Sequence, residues 1–458
     1  MRRYKFSRWL VLTMAWLVAC GGNGHQAPVS LPTETTPVCP EAECIQEQAT
    51  HEIAASSTAT TTVTPCAADR QLYAQKPVGL PGTLVYRFIR DADTIHLIGG
   101  HPLRQHSLEV NDQDAFRLVG FSPSGDWLAY LTGAPYESIP QTIHLLSSSG
   151  EVVQTTPIEL VPTEAGTFKG TWGSVLWVND KTMLIYIAHP HPEYPDASPL
   201  MIKALLNPFT GEWQPNYLEG MERKQTGMVS FAPDMTRVLF YSEAEGHLPE
   251  IRLWDREREV ILWSQEDIQD TLLTSDSKIW TGSAAWSPDS NWVAFTAVES
   301  RNEDDRSLGV GVYLLDREGS AGRIITDFHV RYGPPFTAGT LSWSPDGRYL
   351  AMSVSIAGSD SDSSDVQEDR FYLYDLKNDD LLDLCWSREI HSGYNSTMRT
   401  LVWSPDSRYI AYVANVSVLE DGQRLPRTLI LVDIYTGEVM ELVENAVLLG
   451  GWSAFFTP

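Results

Sequence analysis

The chain has 458 residues, of which 33 are Lys or Arg and 59 are Asp or Glu, so its formal net charge at pH 7 is −26. An acidic surface of this strength repels phosphate backbones, and no basic cluster in the sequence offsets it, so we expect no nucleic-acid partner. The length suffices for a large core, and the 28 Pro, 32 Gly and 15 Trp favour a turn-rich β-protein.

The N-terminus has the composition of a secretory signal peptide. Basic residues occur at Arg2, Arg3, Lys5 and Arg8, and an apolar run follows over residues 9–18. That run is too short to span a bilayer as a helix. We therefore predict export of the chain.

The apolar run ends in Leu17-Val18-Ala19-Cys20, which resembles the lipobox of bacterial lipoproteins. In that family the signal is removed before the cysteine, and the cysteine carries the lipid. The resemblance implies that residues 1–19 are the signal peptide and that Cys20 is the lipidation site. Loss of four basic residues changes the formal charge from −26 to −30. We expect a lipid-anchored protein on the extracytoplasmic side of a cell-envelope membrane.

Residues 20–69 are rich in Pro, Thr, Ser, Ala and Glu and contain almost no apolar side chains. Such a composition buries too little apolar surface to offset the entropy lost on ordering. We therefore predict a low-complexity tether here, and a folded domain over residues 70–458.

Four cysteines remain besides the lipidated one, namely Cys39, Cys44, Cys66 and Cys385. An even number in an exported chain fits one or two disulfides, but their pairing does not follow from the sequence. None of the four has the spacing of a zinc site.

A repeated turn motif organises the rest of the chain. Each copy has an aromatic residue, then Ser-Pro-Asp or a variant of it, then an apolar strand. Pro presets φ in the turn, and Asp accepts hydrogen bonds from the turn backbone. A strand-turn-strand element ending in Asp or Asn recurs in phase, so each repeat holds two β-hairpins. The aromatic residues of the five clear copies and one degenerate copy are Phe121, Trp177, Phe231, Trp286, Trp343 and Trp403.

Two hairpins form a four-stranded antiparallel sheet, which is one blade of a β-propeller. Six full blades are predicted between about residues 115 and 445. Residues 84–90 and 94–98 have the pattern of strands that lack an inner strand, and residues 447–456 have the pattern of an inner strand without a blade. We predict that they pair, giving an all-β, seven-bladed propeller closed by strands from both termini. Closure removes open sheet edges that would favour aggregation.

The motif, seen most fully as Trp-Ser-Pro-Asp-Gly at residues 343–347, resembles the repeat of TolB-like, WD-repeat-like propellers. The same propeller type forms the non-catalytic domain of prolyl-oligopeptidase and dipeptidyl-peptidase enzymes. The resemblance covers most of the chain and implies the fold, but this scaffold serves very different partners. Only Trp254-Asp255 has the dipeptide of true WD repeats, and we interpret it as accidental.

No catalytic motif stands out, and we predict no catalytic residue. The string nearest to a nucleophile elbow, residues 451–455, lacks the closing Gly and a following helix. Metalloprotease, P-loop and dinucleotide-binding motifs are absent from the sequence. The chain stops at Pro458, which leaves no room for the hydrolase domain of the peptidases, so we expect no peptidase activity.

The loops that join the second and third strands of each blade lie on the face opposite the Ser-Pro-Asp turns. They are the most distinctive surface of the sequence. An exposed, Pro-rich loop is more often a solvated segment than a metal site, so we interpret these residues as parts of a binding face. The candidates in two of these loops are His189, His191, Glu193 and Asp196, followed by Asp304 and Asp305.

A third such loop is acidic and has oxygen ligands at nearly alternate positions, a pattern that can hold calcium. The alternative is a hydrophilic loop without a ligand, because the Gly-centred EF-hand pattern is missing. We predict no cofactor or resident metal, and keep calcium as the alternative. The residues concerned are Asp360, Asp362 and Asp365, with Glu368 and Asp369 beyond them.

The leading functional hypothesis is a non-enzymatic scaffold at the cell envelope that binds a protein, peptide or small ligand. The alternative is a propeller enzyme, a hydrolase or lyase acting on peptides or glycans at the central channel. A third hypothesis is a calcium-dependent adhesion or sensing module built on the acidic loops.

Overall fold

The structure is a computed structural model, and it describes most of the predicted propeller. The chain divides into two compact units, residues 1–59 and 60–458, and all described residues belong to the second. Cys20, the signal peptide and the tether lie outside the described residues. The described ranges are 76–88, 93–110, 117–133, 142–157, 161–163, 166–168, 173–189, 200–214, 226–242, 250–264, 278–300, 307–331, 341–357, 366–391, 401–414 and 428–456.

These ranges form thirty strands, and no helix occurs among them. In the first half of the chain the strands are β1 (Leu80–Phe88), β2 (Thr94–Gly100), β3 (Arg104–Glu109), β4 (Arg117–Phe121), β5 (Leu128–Thr132), β6 (Thr142–Leu146), β7 (Val152–Pro157), β8 (Val161–Thr163), β9 (Gly166–Phe168), β10 (Gly173–Asn179), β11 (Thr182–His189), β12 (Leu200–Asn207), β13 (Glu212–Gln214), β14 (Thr226–Phe231), β15 (Arg237–Ser242), β16 (Glu250–Asp255) and β17 (Val260–Ser264). In the second half they are β18 (Lys278–Trp286), β19 (Trp292–Ser300), β20 (Ser307–Asp316), β21 (Gly322–Arg331), β22 (Leu341–Trp343), β23 (Tyr349–Ala357), β24 (Val366–Asp375), β25 (Asp380–His391), β26 (Val402–Trp403), β27 (Tyr409–Ala414), β28 (Thr428–Asp433), β29 (Val439–Glu444) and β30 (Ala446–Ser453).

Six blades follow the chain order, with each strand antiparallel to the next. They are blade 1 (β4–β7), blade 2 (β10–β13), blade 3 (β14–β17), blade 4 (β18–β21), blade 5 (β22–β25) and blade 6 (β26–β29). A two-stranded ribbon, β8 with β9, lies in the sequence between the first two blades. The six predicted repeats are therefore six blades, and the first strand of each is its inner strand.

Blade 7 combines both ends of the described chain in the sheet order β3-β2-β1-β30. In the register of β1 and β30, Thr83 lies opposite Ser453 and Tyr86 opposite Leu449. The prediction of a seven-bladed, all-β propeller closed by strands from both termini is confirmed.

The Ser-Pro-Asp turn is held by a serine hydroxyl that bonds in two directions. In blade 5, the fully buried Ser344 Oγ accepts the Tyr349 backbone N–H at 2.9 Å and donates to the Asp346 carboxylate. Asp346 also accepts the Arg348 backbone N–H at 3.0 Å. Gly347 adopts φ of 71°, a conformation in which glycine is least strained. The motif thus recurs because each residue type meets a need of the turn backbone.

Neighbouring blades are joined by indole N–H groups. Trp403 Nε1 donates to the Ser342 carbonyl at 3.0 Å, and Trp343 Nε1 donates to the Ala285 carbonyl at 3.0 Å. Each acceptor is the residue just before the aromatic residue of the preceding blade. The equivalent bonds in other blades are Trp286 to Ser230 and Trp177 to Gly120, both at 3.1 Å.

The core lies between the blades, where the facing sheets bury apolar side chains. Between blades 4 and 5, for example, Val312 and Leu314 pack with Leu350 and Trp343 in one buried cluster. Burial of one such side chain contributes about 1.5–3 kcal/mol, so the ring gains most of its stability from these interfaces.

The joint between blades 7 and 1 has a different set of contacts. Ser453 is fully buried, and its Oγ donates to the Gly125 carbonyl at 2.6 Å while it accepts the backbone N–H groups of Phe455 and Phe456. Thr83 Oγ1 donates to the Phe456 carbonyl at 2.6 Å. One hydroxyl therefore connects the last inner strand to the turn of the first full blade.

Close backbone approach at this joint requires glycine. A Cβ on Gly120 of blade 1 would lie 2.1 Å from the Gly450 carbonyl oxygen of blade 7, and within blade 7 a Cβ on Gly82 would lie 2.1 Å from the Ser453 carbonyl oxygen. Phe121 takes the place of the bridging tryptophan, and its ring packs edge-on against Phe456 with 5.2 Å between the ring centroids. The joint is closed by backbone proximity and aromatic packing.

Candidate functional site

The strand directions divide the propeller into two faces. We call the face with the β-turns between the first two and the last two strands of each blade the turn face. The opposite face, the loop face, receives the connections between the second and third strands and those between successive blades. Most residues of the loop-face connections lie outside the described residues.

On the turn face, the aspartates of the Ser-Pro-Asp motifs serve the backbone. Asp289 accepts hydrogen bonds from the Ser287 hydroxyl, the Asn291 backbone N–H at 3.1 Å and the Asn291 side chain at 2.8 Å. Burial raises the pKa of Asp289, but these hydrogen bonds outweigh it, and the pKa lies below its ordinary value. The hydrogen bonds of the turn thus favour the ionised form of the Asp289 carboxyl.

In blades 3, 5 and 6 the second turn is held by a buried aspartate. In blade 6, Asp433 Oδ1 accepts the backbone N–H groups of Tyr435 and Thr436, and its Oδ2 lies 2.7 Å from Arg408 Nη2. This hydrogen bond to Asp433, together with its charge, raises the pKa of Arg408. The pair joins the two turns of the blade.

Blades 5 and 3 repeat this arrangement. Arg348 Nη2 lies 2.8 Å from Asp375 Oδ2, and Arg237 Nη1 lies 3.3 Å from Asp255 Oδ2. Asp255 therefore takes the turn position of Asp375, so its place after Trp254 follows from the turn and is not accidental. The sequence offered the signal, because an arginine begins or precedes the second strand in all three of these blades.

The inner strands, which surround the propeller axis, are almost free of ionisable residues. Within the described inner strands β4, β10, β14, β18, β22, β26 and β30, Arg117 and Lys278 are the only ionisable residues. Both begin their strands at the loop-face end. Within the described part of the inner strands there is thus no carboxylate, imidazole or thiol.

Ser453, the serine of the string nearest to a nucleophile elbow, is placed by the structure as a joint residue. Its side chain is fully buried at the end of β30, and its hydroxyl is engaged as donor and acceptor. No histidine is among these partners. Within the described residues, no group of three or more His, Cys, Asp and Glu is arranged to hold a metal ion.

Most of the predicted site residues lie outside the described residues. Of the histidine-containing loop, only His189 is reached: it ends β11, and its backbone pairs with Leu200 of β12. Its position at the loop-face end of a strand agrees with the predicted face. The candidates outside the described residues are His191, Glu193, Asp196, Asp304, Asp305, Asp360, Asp362 and Asp365.

The described part of the acidic segment of blade 5 belongs to a strand. Glu368 and Asp369, expected in the loop, lie in β24, where their backbones pair with Ile356 and Ser355. The expectation was wrong because the sheet extends further than in most blades. A strand can carry charged residues where its ladder hydrogen bonds are satisfied, so polarity alone does not mark the end of a strand.

Blades 4 and 5 extend beyond their neighbours on the loop face. Their third strands, β20 and β24, each have 10 residues and end at the turn aspartate, whereas β16 and β28 have 6 residues before the same point. Four additional residues lengthen a strand by about 13 Å. The described third strands of blades 4 and 5 thus reach further toward the loop face than those of blades 3 and 6.

Comparisons with known proteins give similar solved structures but no family. No family model and no curated protein matches this chain. A hypothetical selenium-binding protein from Sulfolobus tokodaii is similar in structure, with 13% identity and a TM-score of 0.48 over 81% of this chain and 92% of that chain. An oligogalacturonate lyase in complex with manganese has 15% identity and a TM-score of 0.44 over 82% and 98% of the two chains.

A third solved structure, described as "putative TolB" from Agrobacterium tumefaciens, has 13% identity and a TM-score of 0.34 over 82% of this chain and 95% of that chain. At such identities the likeness extends to the fold alone. The propeller assignment rests on the blade topology of this chain. In the described ranges, no helix has the length and hydrophobicity needed to cross a bilayer.

The Asp375 pair predicts a pH-dependent contribution to stability. Burial raises the pKa of Asp375, but Arg348 and the backbone N–H groups of Lys377 and Asn378 lower it further, to below its ordinary value. Its stabilisation is therefore complete above the unfolded pKa of about 3.9 and is lost as pH falls through the lower folded pKa. At pH 7, D375N should lower the free energy of unfolding by about 1–3 kcal/mol.

Melting temperatures of wild type and D375N between pH 7 and pH 3 test this sign. The difference in melting temperature between wild type and D375N should be largest at pH 7 and should become smaller below about pH 4. The matched control D126N removes an exposed carboxylate on the turn of blade 1 and should show a small gap. A D375N gap that stays constant down to pH 3 would contradict the assignment.

Proposed function

We propose that this protein is an extracytoplasmic lipoprotein whose propeller is a non-enzymatic scaffold that binds a protein or peptide on its loop face. In this proposal residues 1–19 are removed, Cys20 carries the lipid, and residues 20–69 link the membrane to the propeller. The lipobox-like sequence supports the anchor. It also supports a location at the cell envelope.

The composition of the inner strands is the observation that carries the non-enzymatic part of the proposal. Propeller enzymes with a site in the channel need acid, base or metal-binding groups near the axis. Among ionisable residues the described inner strands offer only Arg117 and Lys278. An enzyme on this scaffold would have to take all such groups from loop-face connections.

Two observations favour the loop face as the binding surface. On the turn face, the motif carboxylates already accept hydrogen bonds from their own turns, as Asp289 and Asp433 show. On the loop face, the long third strands of blades 4 and 5 provide regular backbone that extends beyond the described third strands of blades 3 and 6. A protein or peptide partner suits such a surface, because rigid elements position contact residues at little entropic cost.

Cys20→Ser tests the anchor. Wild-type protein from the native envelope should carry fatty acyl groups on an N-terminal Cys20, detected by mass spectrometry of the intact chain, and should fractionate with membranes. C20S should carry no acyl group and should appear in the soluble extracytoplasmic fraction, because the lipid provides the membrane affinity. An unmodified Cys20 in the wild type would contradict the lipoprotein assignment.

Affinity capture from envelope extract, with the full mature chain as bait, tests the loop face. The loop variant replaces residues 190–196, 301–306 and 358–365 by Gly-Ser segments of equal length. The matched control, E257Q/E259Q, changes an exposed turn of blade 3 on the opposite face. One specific protein should be retained by wild type and control, and its retention should fall by about tenfold or more in the loop variant, as loss of 1.4 kcal/mol implies.

Equal retention by the loop variant and the wild type would contradict binding on this face. A bait that converts a peptide or glycan in the extract with turnover would favour the enzyme alternative. Repeating the capture with a chelator tests the calcium-dependent hypothesis, which requires that retention be lost.

A further inference from the structure

Blade 7 differs from the other blades at its turn-face end because it contains no acidic residue there. The segments at this end are residues 76–82, 100–104 and 451–456. In a chain with a net charge of −26, the end of blade 7 holds two exposed cations, Lys76 and Arg104. We call this surface the blade 7 patch.

The other six blades each place an aspartate in the first turn of the same face. Five of these six side chains are exposed, and the sixth, Asp180, is half-buried. The blade 7 patch is thus a local interruption of an acidic ring. The six aspartates are Asp126, Asp180, Asp234, Asp289, Asp346 and Asp406.

The patch also exposes large apolar side chains. Val78 in the first segment is 76% exposed, and Phe455 in the last segment is 63% exposed. Pro102 in the segment 100–104 is also exposed. The three segments are in backbone contact with one another. The Leu103 N–H donates to the Val78 carbonyl at 2.9 Å, and a Cβ on Gly82 would lie 3.0 Å from the Ala454 Cα. Aromatic and aliphatic groups beside Lys and Arg are the composition of a surface that meets a bilayer interface.

The position of the patch along the chain identifies the occupant. Lys76 of the patch is the first described residue, and the proposed lipid-bearing Cys20 precedes it on the same chain. A covalent link of this kind raises the effective concentration of the membrane at the patch to the millimolar range. Even a weak contact is then populated.

We propose that the blade 7 patch docks on the anionic phospholipid surface of the membrane that carries the anchor. This inference rests on the proposed lipid anchor. Charge complementarity favours it, because each Lys or Arg near an anionic leaflet contributes about 1 kcal/mol while the six acidic blades are repelled. Insertion of Val78 and Phe455 adds the free energy of burying apolar surface.

Lysine footprinting provides a test with internal controls. The full lipid-modified chain is reconstituted in vesicles of phosphatidylcholine and phosphatidylglycerol, and a water-soluble amine-reactive reagent is added. Lys76 is the probe, and the exposed Lys181 and Lys377 on the turn face of blades 2 and 5 are the controls. The labelling rate of Lys76 should fall by about tenfold relative to the C20S chain in solution, whereas both control rates should stay unchanged; such a factor corresponds to 1.4 kcal/mol.

Two variants and one condition identify the cause. V78S/F455S should restore Lys76 labelling while the lipid keeps the chain on the vesicle, and V152S/V153S, which removes two exposed valines from the outer strand of blade 1, should not. At 1 M salt or on pure phosphatidylcholine, protection should weaken, because the Debye length falls to about 3 Å or the lipid charge is absent.

Each other outcome overturns the proposal. Equal Lys76 labelling on vesicles and in solution shows that the patch does not meet the bilayer. Slow labelling already in the C20S chain without vesicles shows that another part of this chain covers it. If the purified chain carries no lipid on Cys20, the proposed anchor itself fails, which is a result distinct from an unprotected Lys76 on an anchored chain.

Discussion

The pairing of β30 with β1 is the interaction on which the propeller depends. Six blades are formed by consecutive hairpins, but the seventh exists only when a strand from the end of the chain adds to strands from its beginning. The inner edge of β1 would otherwise be open, and an open edge is a template for pairing with other chains. Ser453 and Phe456 reinforce this pairing by bonding and packing against blade 1. Closure therefore sets the channel and both faces.

The turn chemistry explains why function and repeat motif lie apart. The serine and aspartate of each Ser-Pro-Asp turn, such as Ser344 and Asp346, are consumed by backbone hydrogen bonds. The ion pair of Arg408 with the buried Asp433 then joins the turns within its blade. In the sequence these recurrent polar residues resemble catalytic or metal-binding residues, but in the structure they stabilise the turns of the scaffold. Recognition in this account belongs to residues outside the repeat, which are the loop-face connections and the blade 7 patch.

The repeat made the fold predictable, because an aromatic residue and a Pro-Asp turn recur with their own hairpins. Strand length was less predictable: Glu368 and Asp369 are polar, and only the pairing of β23 with β24 shows them to be strand residues. The role of Asp255 could not be predicted from its own segment, because its partner Arg237 lies on another strand. The blade 7 patch joins three distant segments, so no local pattern could reveal it. The predicted loop candidates, such as Asp196, remain predictions.

Hydrogen exchange at the closing blade tests the central claim most directly. If β30 closes the ring on β1, peptides covering residues 80–88 and 446–453 should open together, although they are far apart in the sequence. S453A removes a fully buried hydroxyl from this joint and should accelerate exchange in both peptides by one common factor of about tenfold, for a loss of about 1.4 kcal/mol, while blade 4 is unaffected. Independent exchange of the two peptides, or acceleration in only one of them, would contradict a ring closed by strands from both termini.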